Sequence, residues 1–99
     1  MLTVALFAGL EAKAGKENDV AKFLEAALAM ANAESTTPLW LALRFGPSTF
    51  GVFDAFATDK DRQAHLVGPI AQALMAKAAE LFATPPTIEA IDLLGAKLP

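Results

Sequence analysis

Residues 39–56 read LWLALRFGPSTFGVFDAF, and the interpretation of this stretch decides the fold. Leu39, Leu41, Leu43 and Phe45 alternate with Trp40, Ala42 and Arg44; after Gly46-Pro47-Ser48-Thr49, Phe50, Val52, Asp54 and Phe56 alternate with Gly51, Phe53 and Ala55. Proline fixes its own φ and donates no ladder bond, so the Gly-Pro-Ser-Thr segment is a turn and the stretch is a β-hairpin. Successive strand side chains point to opposite faces, so both faces of this ribbon are apolar and both need cover. The chain offers only two substantial helical stretches, enough for one face of a small sheet. A second copy of the same sheet is the simplest cover for the other.

Composition points the same way. A 99-residue chain makes one domain, residues 1–99, which buries only about 60–65% of its unfolded surface. Yet 55% of the residues are hydrophobic and the mean hydropathy is +0.41, so a homodimer joined through sheet faces is expected. The longest apolar runs, near Ala5–Leu10 and Pro38–Leu43, fall far short of the roughly 20 residues of a membrane helix. The first ten residues lack the basic region and cleavage motif of a signal peptide. A net charge of −3, a pI near 4.9 and scattered basic residues argue against nucleic acid and anionic membrane as partners. The absence of cysteine excludes disulfides and thiolate chemistry and accords with a cytoplasmic protein. With one histidine, no dedicated metal site is expected.

Working outward from the hairpin, residues 2–12 read as a strand, with Leu2, Val4, Leu6 and Leu10 on one face and Thr3, Ala5 and Phe7 on the other. Ala14-Gly15-Lys16 is a turn. A helix follows from about Glu17 to Glu34, its stripe made of Val20, Phe23, Leu24, Ala27, Leu28 and Ala31. Thr58 is a natural N-cap for a second helix, which Gly68-Pro69 interrupts and restarts. Ile70, Leu74, Ala78 and Leu81 mark its buried side, and Thr87–Leu94 is the last strand. The order βαββαβ predicts an α+β, ferredoxin-like domain with a four-stranded antiparallel sheet.

Few residues here can carry chemistry. His65 is the only imidazole, so it is the one side chain that ordinarily titrates near neutrality. It is either a base or orienter at a cavity mouth, or a helix histidine bonded to a nearby carbonyl or carboxylate. Asp54 interrupts an apolar strand face and, if buried, needs a cationic or hydrogen-bonded partner. Arg44 is the nearest cation in the hairpin. A direct Phe45–Phe50 pairing puts Arg44 and Asp54 on opposite faces, whereas a one-residue bulge brings them together, as a structural salt bridge or a catalytic pair. Trp40, Phe7, Phe53 and Phe56 are either ordinary core or the walls of a flat, aromatic-binding pocket. No nucleophile elbow surrounds Ser35 or Ser48, and the glycines form no phosphate-binding pattern, so no cofactor is expected.

Four segments, in order, resemble the antibiotic biosynthesis monooxygenase family: Lys13-Ala14-Gly15-Lys16-Glu17, Phe50-Gly51-Val52-Phe53-Asp54-Ala55-Phe56, Ala64-His65-Leu66 and Pro85-Pro86-Thr87-Ile88. The likeness spans nearly the whole chain. It implies a dimeric α+β barrel in which two four-stranded sheets face each other, with helices outside. It also implies, in the oxygenase members, deprotonation of a quinol-like substrate whose anion reacts with dioxygen without a cofactor. The chain departs from the family's pattern at three places. Ala8, Phe56 and the Ala71–Ala73 stretch stand where the haem-degrading branch has asparagine, tryptophan and histidine, which argues against haem degradation. The asparagine and tryptophan linked to quinol oxygenation are missing from the same positions.

Two functions are therefore expected. The first is cofactor-free oxygenation, or related proton chemistry, of a small aromatic or quinone-like compound. In it His65 is base or orienter, Asp54 and Arg44 are its polar supports, and Phe56, Trp40, Phe7 and Phe53 are the substrate-binding walls. The second is a non-catalytic or stress-associated homodimer that sequesters a small apolar molecule; a cavity too small for an aromatic ring would favour it.

Overall fold

A computed structural model describes residues 1–99. In chain order the elements are β1 (Val4–Glu11), α1 (Glu17–Ala33), β2 (Leu39–Arg44), β3 (Thr49–Phe56), α2 (Asp59–Leu66), α3 (Pro69–Leu81) and β4 (Thr87–Asp92). The strands form one antiparallel sheet in the order β2-β3-β1-β4. With the helices this is the ferredoxin-like α+β arrangement predicted from the hydrophobic pattern.

Gly15 turns the chain from β1 into α1 with a φ of 87°, a left-handed conformation that glycine adopts without steric cost. Val20, Leu24, Ala27 and Ala31 form the buried stripe of α1. Leu28, expected in that stripe, is exposed, because at 3.6 residues per turn it falls on the flank of a line centred on those four. Thr58 caps α2 by accepting a hydrogen bond from the Asp61 N–H at 3.2 Å. Gly68 and Pro69 end that helix and open α3, with proline in its first turn. The first and last strands of the chain are shorter than expected: β1 begins at Val4 rather than Leu2, and β4 ends at Asp92, leaving Leu94 fully exposed.

The helices all lie on one face of the sheet. There Leu10, Phe50 and Val52 pack with Val20 and Leu24 of α1 and Leu74 and Leu81 of α3. By strand alternation Trp40, Ala42, Arg44, Asp54 and Phe56 belong to the same face. The other face carries Phe7, Phe53, Leu39, Leu41, Leu43 and Phe45. At its centre Gly9 pairs with Gly51, and the Phe7 ring lies so close that a Cβ on Gly51 would stand 3.0 Å from it. Phe45 meets Phe7 edge-on at 6.1 Å between centroids. Leu41 is 48% exposed and Phe45 62%.

The hairpin settles the register in a way neither expected alternative described. The Phe45 N–H donates to the Thr49 carbonyl at 2.8 Å, so the loop is Gly46-Pro47-Ser48 and Arg44 stands opposite Phe50, in an unbroken ladder. The carboxylate of Glu11 accepts the hydroxyls of Ser48 and Thr49 at 2.6 and 2.7 Å. Those bonds hold its carboxyl below the usual range and tie the loop to the end of β1.

Candidate functional site

Asp54 is only 3% exposed, on the helix-covered face of β3, opposite Leu6 on one side and Trp40 on the other. Its partner is His65: Oδ2 lies 2.9 Å from Nε2. The other ring nitrogen, Nδ1, lies 2.8 Å from Oε1 of Glu34. The Thr37 hydroxyl donates to the same Glu34 oxygen at 2.8 Å. Four side chains from three segments thus form one hydrogen-bonded line, with the imidazole between two carboxylates.

Local sequence explains how each arrives there. Helix α2, with sequence DKDRQAHL, has His65 as its one buried residue. Polar hooks hold it to the sheet. Arg62, one turn before His65, donates to the carbonyls of Ala5 and Ile91 at 3.3 and 3.2 Å while also gripping Asp59 at 2.7 Å. Hydrogen bonds from Arg62 and then Gln63 hold the Asp59 carboxyl below its ordinary range. Glu34 is the C-cap of α1, held by its N–H to the Ala31 carbonyl. A carboxylate at a helix C-terminus opposes the helix dipole, and a neighbouring imidazolium offsets that cost.

Burial works against charging His65, but its hydrogen bonds to Asp54 and then to Glu34, together with both negative charges, outweigh it and raise its pKa above the ordinary value. The protonated ring donates one N–H to each carboxylate. Phe56, fully buried, packs beside the ring at 5.3 Å. No three ligand-type side chains converge on a point that could hold a metal ion, since the carboxylates occupy opposite nitrogens of the ring.

Asp54 and His65 also border a pocket of about 60 Å³ between the sheet and the helices. Apolar side chains make up nearly all the rest of its wall, including Leu6 and Val52 from the sheet, Phe23 and Ala27 from α1, and Ile70 and Leu74 from α3. Two polar atoms of lining residues are buried without a hydrogen-bond partner: Oδ1 of Asp54 and Nε1 of Trp40. A third, Oε2 of Glu34, lies behind His65 and outside the pocket wall.

The fold thus brings together His65, Asp54 and Trp40, with Phe56 behind the ring. It does not bring Arg44. Although on Asp54's face, Arg44 sits opposite Phe50, four residues along β3 and about 13 Å away at strand spacing. Its guanidinium stacks over the Phe50 ring at 4.8 Å and donates to the carbonyls of Gly46 and Pro47. The Arg44–Asp54 salt bridge is therefore not formed, and Arg44 does not support His65. Phe7 and Phe53 project from the opposite face and do not line the pocket. Glu34 and Thr37 are the members that sequence reasoning missed. They lie in a polar helix-end segment, 31 and 28 residues from His65, where solvated side chains are the norm.

No family model matches the sequence, and no curated protein does. Among solved structures, the chain is 63% identical to the NE2512 protein of unknown function from Nitrosomonas europaea, covering 100% of this chain and 96% of that one with a TM-score of 0.97. A candidate antibiotic biosynthesis monooxygenase from the same organism matches at a TM-score of 0.81 and 17% identity, over 93% of this chain and 90% of that one. Another, from Caulobacter crescentus, matches at 0.80 and 18%, over 95% and 92%. At such identities the last two likenesses concern the fold.

Proposed function

This chain belongs to the family of the Nitrosomonas europaea NE2512 protein and has the antibiotic biosynthesis monooxygenase fold, and on that basis we propose that it is a cytoplasmic, single-domain homodimer that accepts a small apolar or aromatic compound beside Asp54 and removes a proton from it. The observation that carries this reading is the unpartnered Oδ1 of a buried carboxylate bordering an apolar pocket. The proton acceptor is Asp54. His65, with both nitrogens engaged by carboxylates, is the positioning residue, and its raised pKa suits an imidazolium rather than a base. One imidazolium between two carboxylates leaves one negative charge, which the substrate proton neutralises.

For a quinol-like substrate the resulting anion is electron-rich enough to react with dioxygen without a cofactor. One ring C–H becomes C–OH as the quinol becomes a hydroxyquinone; one atom of dioxygen is retained, and the other leaves as water with two of the substrate's hydrogens, one of them the proton taken by Asp54. The test is oxygen uptake by pure protein over a quinol panel. Uptake above the protein-free rate is expected, falling at least about 100-fold in Asp54→Asn, which preserves shape and removes the base. No uptake with any quinol overturns the oxygenase reading.

The pocket volume favours a second reading. A cavity of about 60 Å³ is smaller than the roughly 150 Å³ that admits a benzene ring. A module that holds a small molecule without turning it over fits that size. Saturable binding with no oxygen uptake would select it.

A further inference from the structure

The imidazole between two carboxylates can hold both only while it is charged. Asp54 Oδ2 lies 2.9 Å from Nε2 and Glu34 Oε1 lies 2.8 Å from Nδ1, yet a neutral ring carries a single N–H. Losing the proton leaves a ring lone pair aimed at a carboxylate, so one of the two must give way. Asp54 is the one that stays. It sits mid-strand in a ladder paired on both sides, its side chain 4% exposed, and with Oδ1 unpartnered the Nε2–H is its one side-chain bond. Glu34 ends a helix, has a side chain 16% exposed and is followed by the exposed Ser35 and Thr36. A replacement for it is already in place: the buried Thr37 hydroxyl, 2.8 Å from Glu34 Oε1, lies 3.4 Å from Nδ1. We propose that Glu34, Thr37 and His65 form a pH-operated latch: when the ring loses its proton to solvent, Nε2–H stays on Asp54, the Thr37 hydroxyl turns to donate to Nδ1, and Glu34 swings into water.

The latch joins the end of α1 to the joint between α2 and α3. A Cβ on Gly68, the N-cap of α3, would stand 3.9 Å from Glu34 Oε2, so the glutamate side chain lies against that joint. Its release frees the turn after α1 from both helices. No other charge takes over the ring. On α2 itself Arg62 is engaged with Asp59 and with the Ala5 and Ile91 carbonyls. In α3 Lys77 pairs with Glu80, in β2 Arg44 stacks on Phe50, and in β1 Glu11 holds Ser48 and Thr49. The raised pKa of His65 sets the changeover above the range of a free imidazole. Leu66 and Ile70 on one side of the latch and Trp40 on the other line the pocket. One ring's protonation thus controls how firmly that wall is held, whether or not the pocket takes the substrate class proposed above.

An NMR titration of the intact protein tests the latch, since the lone imidazole reports its own midpoint in the same spectra. Below the midpoint, nuclear Overhauser contacts should run from the Glu34 side chain to the His65 ring and to Gly68. Above it they should vanish, while the contacts of His65 with the Phe56 ring, 5.3 Å away, persist. Backbone order parameters should fall over Ser35 to Thr37 and hold in β3. The ring nitrogen shifts should place the remaining proton on Nε2. In Glu34→Gln the midpoint should drop and the contacts to residue 34 should survive it, because a carboxamide accepts from the charged ring and donates to the neutral one. Glu34 contacts that persist through the wild-type midpoint overturn the latch. So does loss of the Phe56 contacts along with them, a neutral ring protonated on Nδ1, or a ring that stays charged until the protein unfolds. A Glu34→Gln chain that opens as the wild type does overturns it equally.

Discussion

His65 lies between two carboxylates, and its protonation contributes to how stability responds to pH. Its folded-state pKa is raised above the ordinary value, about 6.5 for a free imidazole. A raised pKa means the folded state holds the proton more tightly, so this contribution is complete below about pH 6.5 and is lost as pH climbs through the folded value. Urea titrations should therefore show the unfolding free energy falling as pH rises above about 6.5, and a flatter profile over the same range in His65→Gln. Removing the ring without replacing its bonds is a harsher change. His65→Ala leaves two buried carboxylates facing each other and should cost about 3–5 kcal/mol, a large part of the total for a small domain. The double variant Asp54→Leu, His65→Leu should recover part of that loss, since an apolar pair needs no partner. Sequence made His65 and Asp54 visible because each breaks a pattern. It left Glu34 hidden because a glutamate ending a helix breaks none, and it overvalued Arg44 because closeness in a hairpin depends on a register set by one residue of loop length.

Periodicity carried the elements well where one side of each meets a core and poorly where it does not. The Gly68-Pro69 break and the Thr58 cap were legible from backbone chemistry alone, and the stripe of α1 from its spacing. The ends of β1 and β4 were not, because alternation continues past the last ladder bond. The glycine pair in the middle of the sheet offers a test at this scale. An added Cβ at Gly9 would meet the Thr87 hydroxyl at 2.7 Å, a group that can rotate away. At Gly51 it would meet the Phe7 ring at 3.0 Å and the Ala8 carbonyl at 3.1 Å, and the backbone cannot move aside. Gly51→Ala should thus destabilise by about 1–3 kcal/mol, with Gly9→Ala nearly neutral because reduced freedom in the unfolded chain offsets its small clash. Thermal melts of the two variants side by side decide the matter.

For the whole molecule the open sheet face is the dominant fact. Phe7, Phe45, Phe53, Leu39, Leu41 and Leu43 lie on the face that none of the three helices covers, and a contiguous exposed apolar face of this kind marks an interaction surface. Sedimentation should give twice the 10.4 kDa chain mass, and Leu41→Glu should shift the population to single chains by placing a charge in a desolvated interface. A wild-type chain that sediments singly at micromolar concentration would refute the paired-sheet arrangement. The chain also has a single tryptophan, a residue of the pocket lining whose ring nitrogen is buried without a hydrogen-bond partner. Indole fluorescence moves to the red when that nitrogen gains a hydrogen bond, so the colour of the native protein's own emission reads out occupancy at one defined atom, with no dye, label or coupled assay.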